Sequence, residues 1–165
     1  MKALIKNGII RPDPFARVGI DDGLPVDGDV IVPLGRWRAE REALGQRASR
    51  LGVLLKSDEP PALIAGDLER LAVVALEFPA FRDGRAYSYA RLLRDQFGYA
   101  GEIRAVGDVL LEQLHFMARA GFDAFELDSE DPERDFRIAA GDFSVWYQPS
   151  TDGRATAVEL RHGRS

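Results

Sequence analysis

The chain contains no cysteine, which excludes disulfides, thiolate nucleophiles, zinc–thiolate centres, cysteine-ligated iron–sulfur clusters and dithiol redox motifs together. Any redox role would need a bound cofactor or a partner, and these residues imply no cofactor. Histidine is nearly as scarce, with only His115 and His162. His115 stands beside Phe116 on a helix away from the strand ends and reads as a partly buried structural residue; His162 falls close to the C-terminus. No HExxH, Walker A, GxGxxG or GxSxG pattern occurs, which weakens zinc hydrolase, P-loop, dinucleotide-binding and esterase readings. Long apolar runs are missing too. The opening MKALIKNGIIRPDPFARVG turns polar before a signal-peptide core could form, and no window approaches the roughly 20 apolar residues of a membrane span. The expectation is a cytoplasmic protein with no membrane partner.

What is present describes a globular α/β protein. In 165 residues, 45% are hydrophobic and 30% charged, proportions that allow one ordinary domain to bury a core. A single domain over residues 1–165 is expected, with 1–29 as a peripheral N-terminal strand and loop and 143–165 as a partly flexible tail. Lys and Arg number 22 against 27 Asp and Glu, a net charge of −5, which argues against electrostatic binding to nucleic acid. The charge is also segregated. Arg36 to Arg50 holds five arginines against Glu40 and Glu42, whereas Gly121 to Asp142 holds eight acids against Arg134 and Arg137. Such runs read either as solvated helical faces or as complementary docking surfaces.

Apolar periodicity then sets the architecture. VIVPL (Val30 to Leu34) is a short strand. Trp37, Leu44, Ala48 and Leu51 recur at helical spacing across an Arg-rich helix, and Val53 to Leu55 is a second strand. Prolines in the first turn after Asp58 suit a short helix before Leu71 to Phe78, the strongest strand of the chain. Asp83-Gly84 opens a helix with Ala86, Tyr89, Ala90, Leu93 and Phe97 on one face. Glu102 to Val106 is strand-like, Val109 to Ala118 forms another apolar helix face stopped by Gly121, and Ala124 to Leu127 is the next strand. Ser129 or Asp131 caps a last helix to about Ala140, with a further strand around Val145. Alternation of this kind implies a parallel sheet of about five strands with flanking helices, either a partial (β/α) barrel or an open doubly wound sheet. The barrel version leaves exposed sheet edges, and a homodimer that covers them is the corresponding expectation.

Candidate site residues gather where strands give way to helices. Arg82, Asp83, Gly84, Arg85 and Ser88 lie at one join; Arg104 lies on the next strand and Asp108 at its end. Arginine forks, a hydroxyl and a glycine permitting close approach suit a small oxyanion such as sulfite, sulfate, phosphate or carboxylate. The plainer alternative makes Asp83 and Asp108 helix caps and pairs the arginines with Glu77, Asp95 and Glu102. Arg91 and Arg94 read as solvated. Glu77, Asp108 and Glu126 (or Asp128), on successive strand ends, offer instead an oxygen-ligand Mg²⁺ site for a lyase or isomerase.

The segments FPAFRDGRAYSYARLLRD, GYAGEIRAVGDVLLEQL and FMARAGFDAFEL resemble an uncharacterised bacterial domain-of-unknown-function family, number nine hundred and thirty-four, linked to sulfite reduction. The resemblance covers most of the chain. It implies an accessory protein of assimilatory sulfite reduction and cysteine biosynthesis, with sulfite reductase as partner and no established reaction. Its motif positions fall on Phe81, Asp83, Gly84, Arg85, Ser88, Arg91, Leu93, Arg94, Gly101, Arg104, Gly107, Asp108, Gln113 and Gly121-Phe122-Asp123. Ala120 departs from the cysteine found in many relatives, so a thiol mechanism has no support here. The combined expectation is an accessory that binds a small oxyanion at Arg-lined strand ends or docks on sulfite reductase. The alternatives are the Mg²⁺-dependent enzyme and a purely structural interaction module.

Overall fold

The computed structural model describes residues 2–80 and 82–140. Its centre is an eight-stranded sheet made of β1 (Lys2–Lys6), β2 (Ile9–Arg11), β3 (Phe15–Arg17), β4 (Asp29–Pro33), β5 (Leu51–Leu55), β6 (Val73–Phe78), β7 (Glu102–Gly107) and β8 (Ala124–Asp128). The spatial order is β2-β1-β8-β7-β6-β5-β4-β3. From β3 to β8 every pairing is parallel and every new strand is added on the same side. β1 runs antiparallel to β8, and β2 antiparallel to β1.

The helical segments are α1 (Leu34–Ala39), α2 (Arg41–Gly45), a 3₁₀ stretch Pro61–Arg70, α3 (Arg85–Arg91) continued by a π-type turn Leu92–Gln96, a 3₁₀ turn Leu111–Gln113, α4 (Leu114–Ala120) and α5 (Pro132–Ala140). All connections that join adjacent parallel strands place their helices on one face, as right-handed crossovers require. The core confirms it. Trp37, Leu44, Ile64, Leu68, Ala90, Leu93, Leu114 and Met117 from the helical segments pack with the strand residues Val32, Val53, Leu76, Ile103 and Phe125. A second cluster, Phe15, Ile31, Val73, Ala75 and Val106, comes from strands alone and marks the opposite, helix-free face. One-sided winding excludes the doubly wound alternative and gives a curled half-barrel.

The α/β class therefore holds, with eight strands in place of five and a sheet that is mostly but not wholly parallel. The extra strands lie in the N-terminal segment, at the two ends of the sheet. Leu4 and Ile5 are buried in β1, which covers the edge of β8, while β3 extends the other edge beside β4. The Arg-rich helix is also shorter than its periodicity suggested: it breaks at Glu40, ends at Gly45, and Leu51 begins β5. The anticipated strand at Val145 lies outside the described residues.

Two local features fix the frame near the strand ends. Gly107 ends β7 at φ 89°, and a Cβ there would lie 2.4 Å from the Phe78 carbonyl oxygen, so only glycine lets β6 and β7 close this tightly. Phe78 then stacks edge-on to Tyr87 at 5.2 Å and against Phe122 at 5.7 Å, joining β6 to α3 and the turn before β8. At the C-terminal end of the described chain, Asp131 Oδ1 accepts the Arg134 N–H at 3.1 Å and caps α5.

Candidate functional site

The carboxyl ends of β5 and β6 bring Ser57 beside the loop that enters α3. Asp83 holds Arg85 there through a forked ion pair, Nε to Oδ1 at 3.0 Å and Nη2 to Oδ2 at 2.6 Å. Arg85 Nη2 also donates to Ser57 Oγ at 2.9 Å, and the Tyr89 hydroxyl fixes the Ser57 carbonyl at 2.6 Å. The Arg85 hydrogen bonds hold the Asp83 carboxyl down at about 2 and push the guanidinium's own pKa upward. Arg85 Nη1 takes no partner among the described residues, and the side chain is 55% exposed. The result is a planar cation locked in orientation with one edge outward. Arg82, Gly84 and Ser88 are exposed nearby in sequence. Asp108 donates its backbone N–H to the Phe78 carbonyl at 2.7 Å, which ties the end of β7 to the end of β6. Ser57 was not singled out in the sequence, because a serine in a loop carries no spacing signal, and Tyr89 was read only as part of the apolar face of its helix.

Arg104 does not join this group. It lies mid-strand on the helix-free face with 1% exposure, where Nη1 donates to Asp13 at 2.8 Å and to Glu126 at 3.4 Å and Nη2 donates to Glu102 at 3.2 Å. Its guanidinium also sits over the Phe15 ring at 5.6 Å. Arg17 on β3 reaches across to pair with Glu126 on β8, and Lys6 stands 3.8 Å from Glu102. Burial alone would lower the Arg104 pKa, but Glu102, Asp13 and Glu126 outweigh it and the net shift is upward. Glu102 shifts up, because desolvation exceeds the help it receives from an arginine shared with two other acids. The sequence alternative that paired arginines with Glu77, Asp95 and Glu102 thus holds for Arg104 and Glu102.

Glu126, one of the acids considered for Mg²⁺, is engaged by Arg17 and Arg104, and among the described residues no group of three or more His, Asp or Glu could hold a metal ion. Glu77 is half-buried on β6. Arg94 and Asp123 hold the fold. Arg94, expected to be solvated, is buried and donates to the Tyr99 and Gly101 carbonyls, each at 2.7 Å, and to the Gly121 carbonyl at 3.1 Å. Asp123 accepts the Ile103 N–H at 2.7 Å. Arginines of the basic run from Arg36 to Arg50 also tie down loops. Arg36 donates to the Gly19 and Asp22 carbonyls, Arg47 to those of Pro25 and Gly28, and Arg50 pairs with Asp29 at 2.7 Å, depressing that carboxyl.

Sequential parallel strands, helices on one face and an arginine-bearing carboxyl edge define a β/α half-barrel protein. Residues 52–158 match the family of bacterial proteins of unknown function known as DUF934, and the chain belongs to that family. No curated protein matches the chain. Among the described residues no helix is long and apolar enough to cross a membrane.

Proposed function

We propose that this protein is an accessory of assimilatory sulfite reduction in cysteine biosynthesis, and that its carboxyl strand edge recognises an oxyanion through Arg85. The observation that carries the recognition is the locked guanidinium: Asp83 and Ser57 hold three of its N–H contacts, and Nη1 is left outward on an exposed edge. An arginine fixed in this way loses little side-chain freedom on binding, which favours oxyanions such as sulfite, sulfate or carboxylate. The pathway is supported by the resemblance of the Phe78 to Leu127 segments to a family linked to sulfite reduction. Exposure of Arg82, Arg85 and Ser88 favours an oxyanion displayed on a docking partner, sulfite reductase, over a deeply enclosed ligand.

The test is titration with sulfite, sulfate and phosphate together with capture of purified sulfite reductase, for wild type and Arg85→Ala. The expected outcome is binding to at least one of these that Arg85→Ala abolishes. Undiminished binding by Arg85→Ala, or no binding by wild type, overturns the reading.

A further inference from the structure

The half-barrel has a second feature, independent of Arg85. Arg11 ends β2 at one side of the sheet and Phe15 begins β3 at the other. Four residue steps separate them, so the two edges lie within about 14 Å of each other. The curled sheet is nearly closed, and the gap between its edges contains a cavity of about 230 Å³ lined by residues of β1, β3, β4, β8 and the strap Pro12 to Pro14. This volume is below the usual 300–1,000 Å³ of drug-sized sites and suits a small metabolite.

The lining has three distinct chemistries. Leu4, Phe15 and Ile31, all buried, give an apolar floor. Lys2 brings an ammonium to the exposed rim. Glu126 contributes a carboxylate whose side chain is only 9% exposed. Arg17 and Arg104 both donate to its Oε1, while Oε2 takes no hydrogen bond from any described residue. Oε2 stays accessible, so this carboxylate oxygen can accept a hydrogen bond from a ligand in the cavity.

We propose that this gap binds a small α-amino acid with an apolar side chain, its ammonium donating to Glu126 Oε2, its carboxylate facing Lys2 and its side chain on Leu4, Phe15 and Ile31. Asp13 and Arg17 also line the cavity but are ion-paired with Arg104 and Glu126, so a ligand meets chiefly Glu126 Oε2 and Lys2 over the apolar floor; a zwitterion matches that pair, whereas a simple anion would meet Glu126 and a simple amine would meet Lys2. Occupancy would also couple β1 and β8 to β3 and β4, which only the three-residue strap joins covalently at this side. The strap should therefore become less mobile when the site fills.

The experiment uses the full-length protein, L-valine and L-leucine as probes, and isobutylamine and isobutyrate as controls, followed by calorimetry and by amide hydrogen exchange of residues 11–17. The amino acids are expected to bind and slow exchange in the strap, with each control at least about tenfold weaker. Lys2→Ala should weaken amino-acid binding about tenfold without changing the melting temperature, and Arg85→Ala should leave it unchanged. Glu126→Gln should abolish it; if that variant does not fold, Lys2→Ala decides. Absence of binding up to about 10 mM, equal response to the matched amine, or full affinity in Lys2→Ala overturns the proposal. Because Arg85→Ala separates the two sites, failure here leaves the strand-edge reading standing, and the reverse also holds.

Discussion

Arg104 and Arg85 are each gripped by carboxylates, yet they occupy opposite regimes of the same sheet. Arg104 sits mid-strand at 1% exposure and is shared by three acids; Arg85 sits past a strand end, exposed, and is paired with Asp83 and Ser57. In the first region, charges withdrawn from water interact strongly but bear a large desolvation cost, so the network's worth is felt chiefly when one member is removed. In the second, solvent screens the pair, and its consequence is orientation more than stability. The same residue types thus hold the interior together in one place and present a recognition group in the other.

The sharpest way to break this contrast is Arg104→Met. It leaves Glu102, Glu126 and Asp13 facing one another, and a loss of about 3–5 kcal/mol in urea unfolding is expected. A loss no larger than that of an exposed arginine would remove the distinction. Arg94→Ala should come next, at about 2–3 kcal/mol in the same assay, since three backbone carbonyls lose their buried donor. Gly107→Ala should cost about 1–3 kcal/mol by forcing a side chain into a positive-φ position against the Phe78 carbonyl.

The pH response separates the two regions further. Glu102 has a folded-state pKa raised above 4.5, so the folded protein binds more protons than the unfolded chain between those values. Its contribution therefore improves as pH falls through that window. The unfolding free energy of wild type relative to Glu102→Gln should rise from neutral pH towards 4.5, and a flat difference would contradict the assigned burial. Asp83 behaves oppositely: its carboxyl is depressed to about 2, so whatever it contributes is kept above its ordinary value of 3.8 and lost as pH falls through about 2. Smallest of all, Arg85→Ala should leave the melting temperature unchanged.

Much of this arrangement was legible in the sequence, and the limits are instructive. β4 to β8 and their helices follow from apolar runs and helical spacing, since those elements bury one face or both in a single core. The N-terminal strands were underestimated because β2 and β3 are only three residues long, and β1 takes its place by pairing with the distant β8, which no local pattern shows. The interior network had a signal that went unread. Glu102 and Arg104 alternate with Ile103 and Ala105, and a strand buried between two helix layers would not carry charge on every second residue. Asp13 reaches Arg104, and Arg17 reaches Glu126, only through closure of the sheet, which no spacing along the chain announces. At the strand edge, Asp83 and Arg85 were visible as neighbours, whereas Ser57 arrives from the loop after β5.

The central claim is that the exposed, locked arginine is the recognition group. It is tested most directly by measuring the affinity of sulfite reductase and of free sulfite for wild type, Arg85→Ala and Arg85→Lys side by side. The account predicts binding by wild type, loss in Arg85→Ala and incomplete recovery in Arg85→Lys, because lysine lacks the planar fork that Asp83 and Ser57 orient. Equal affinity across the three proteins would contradict it.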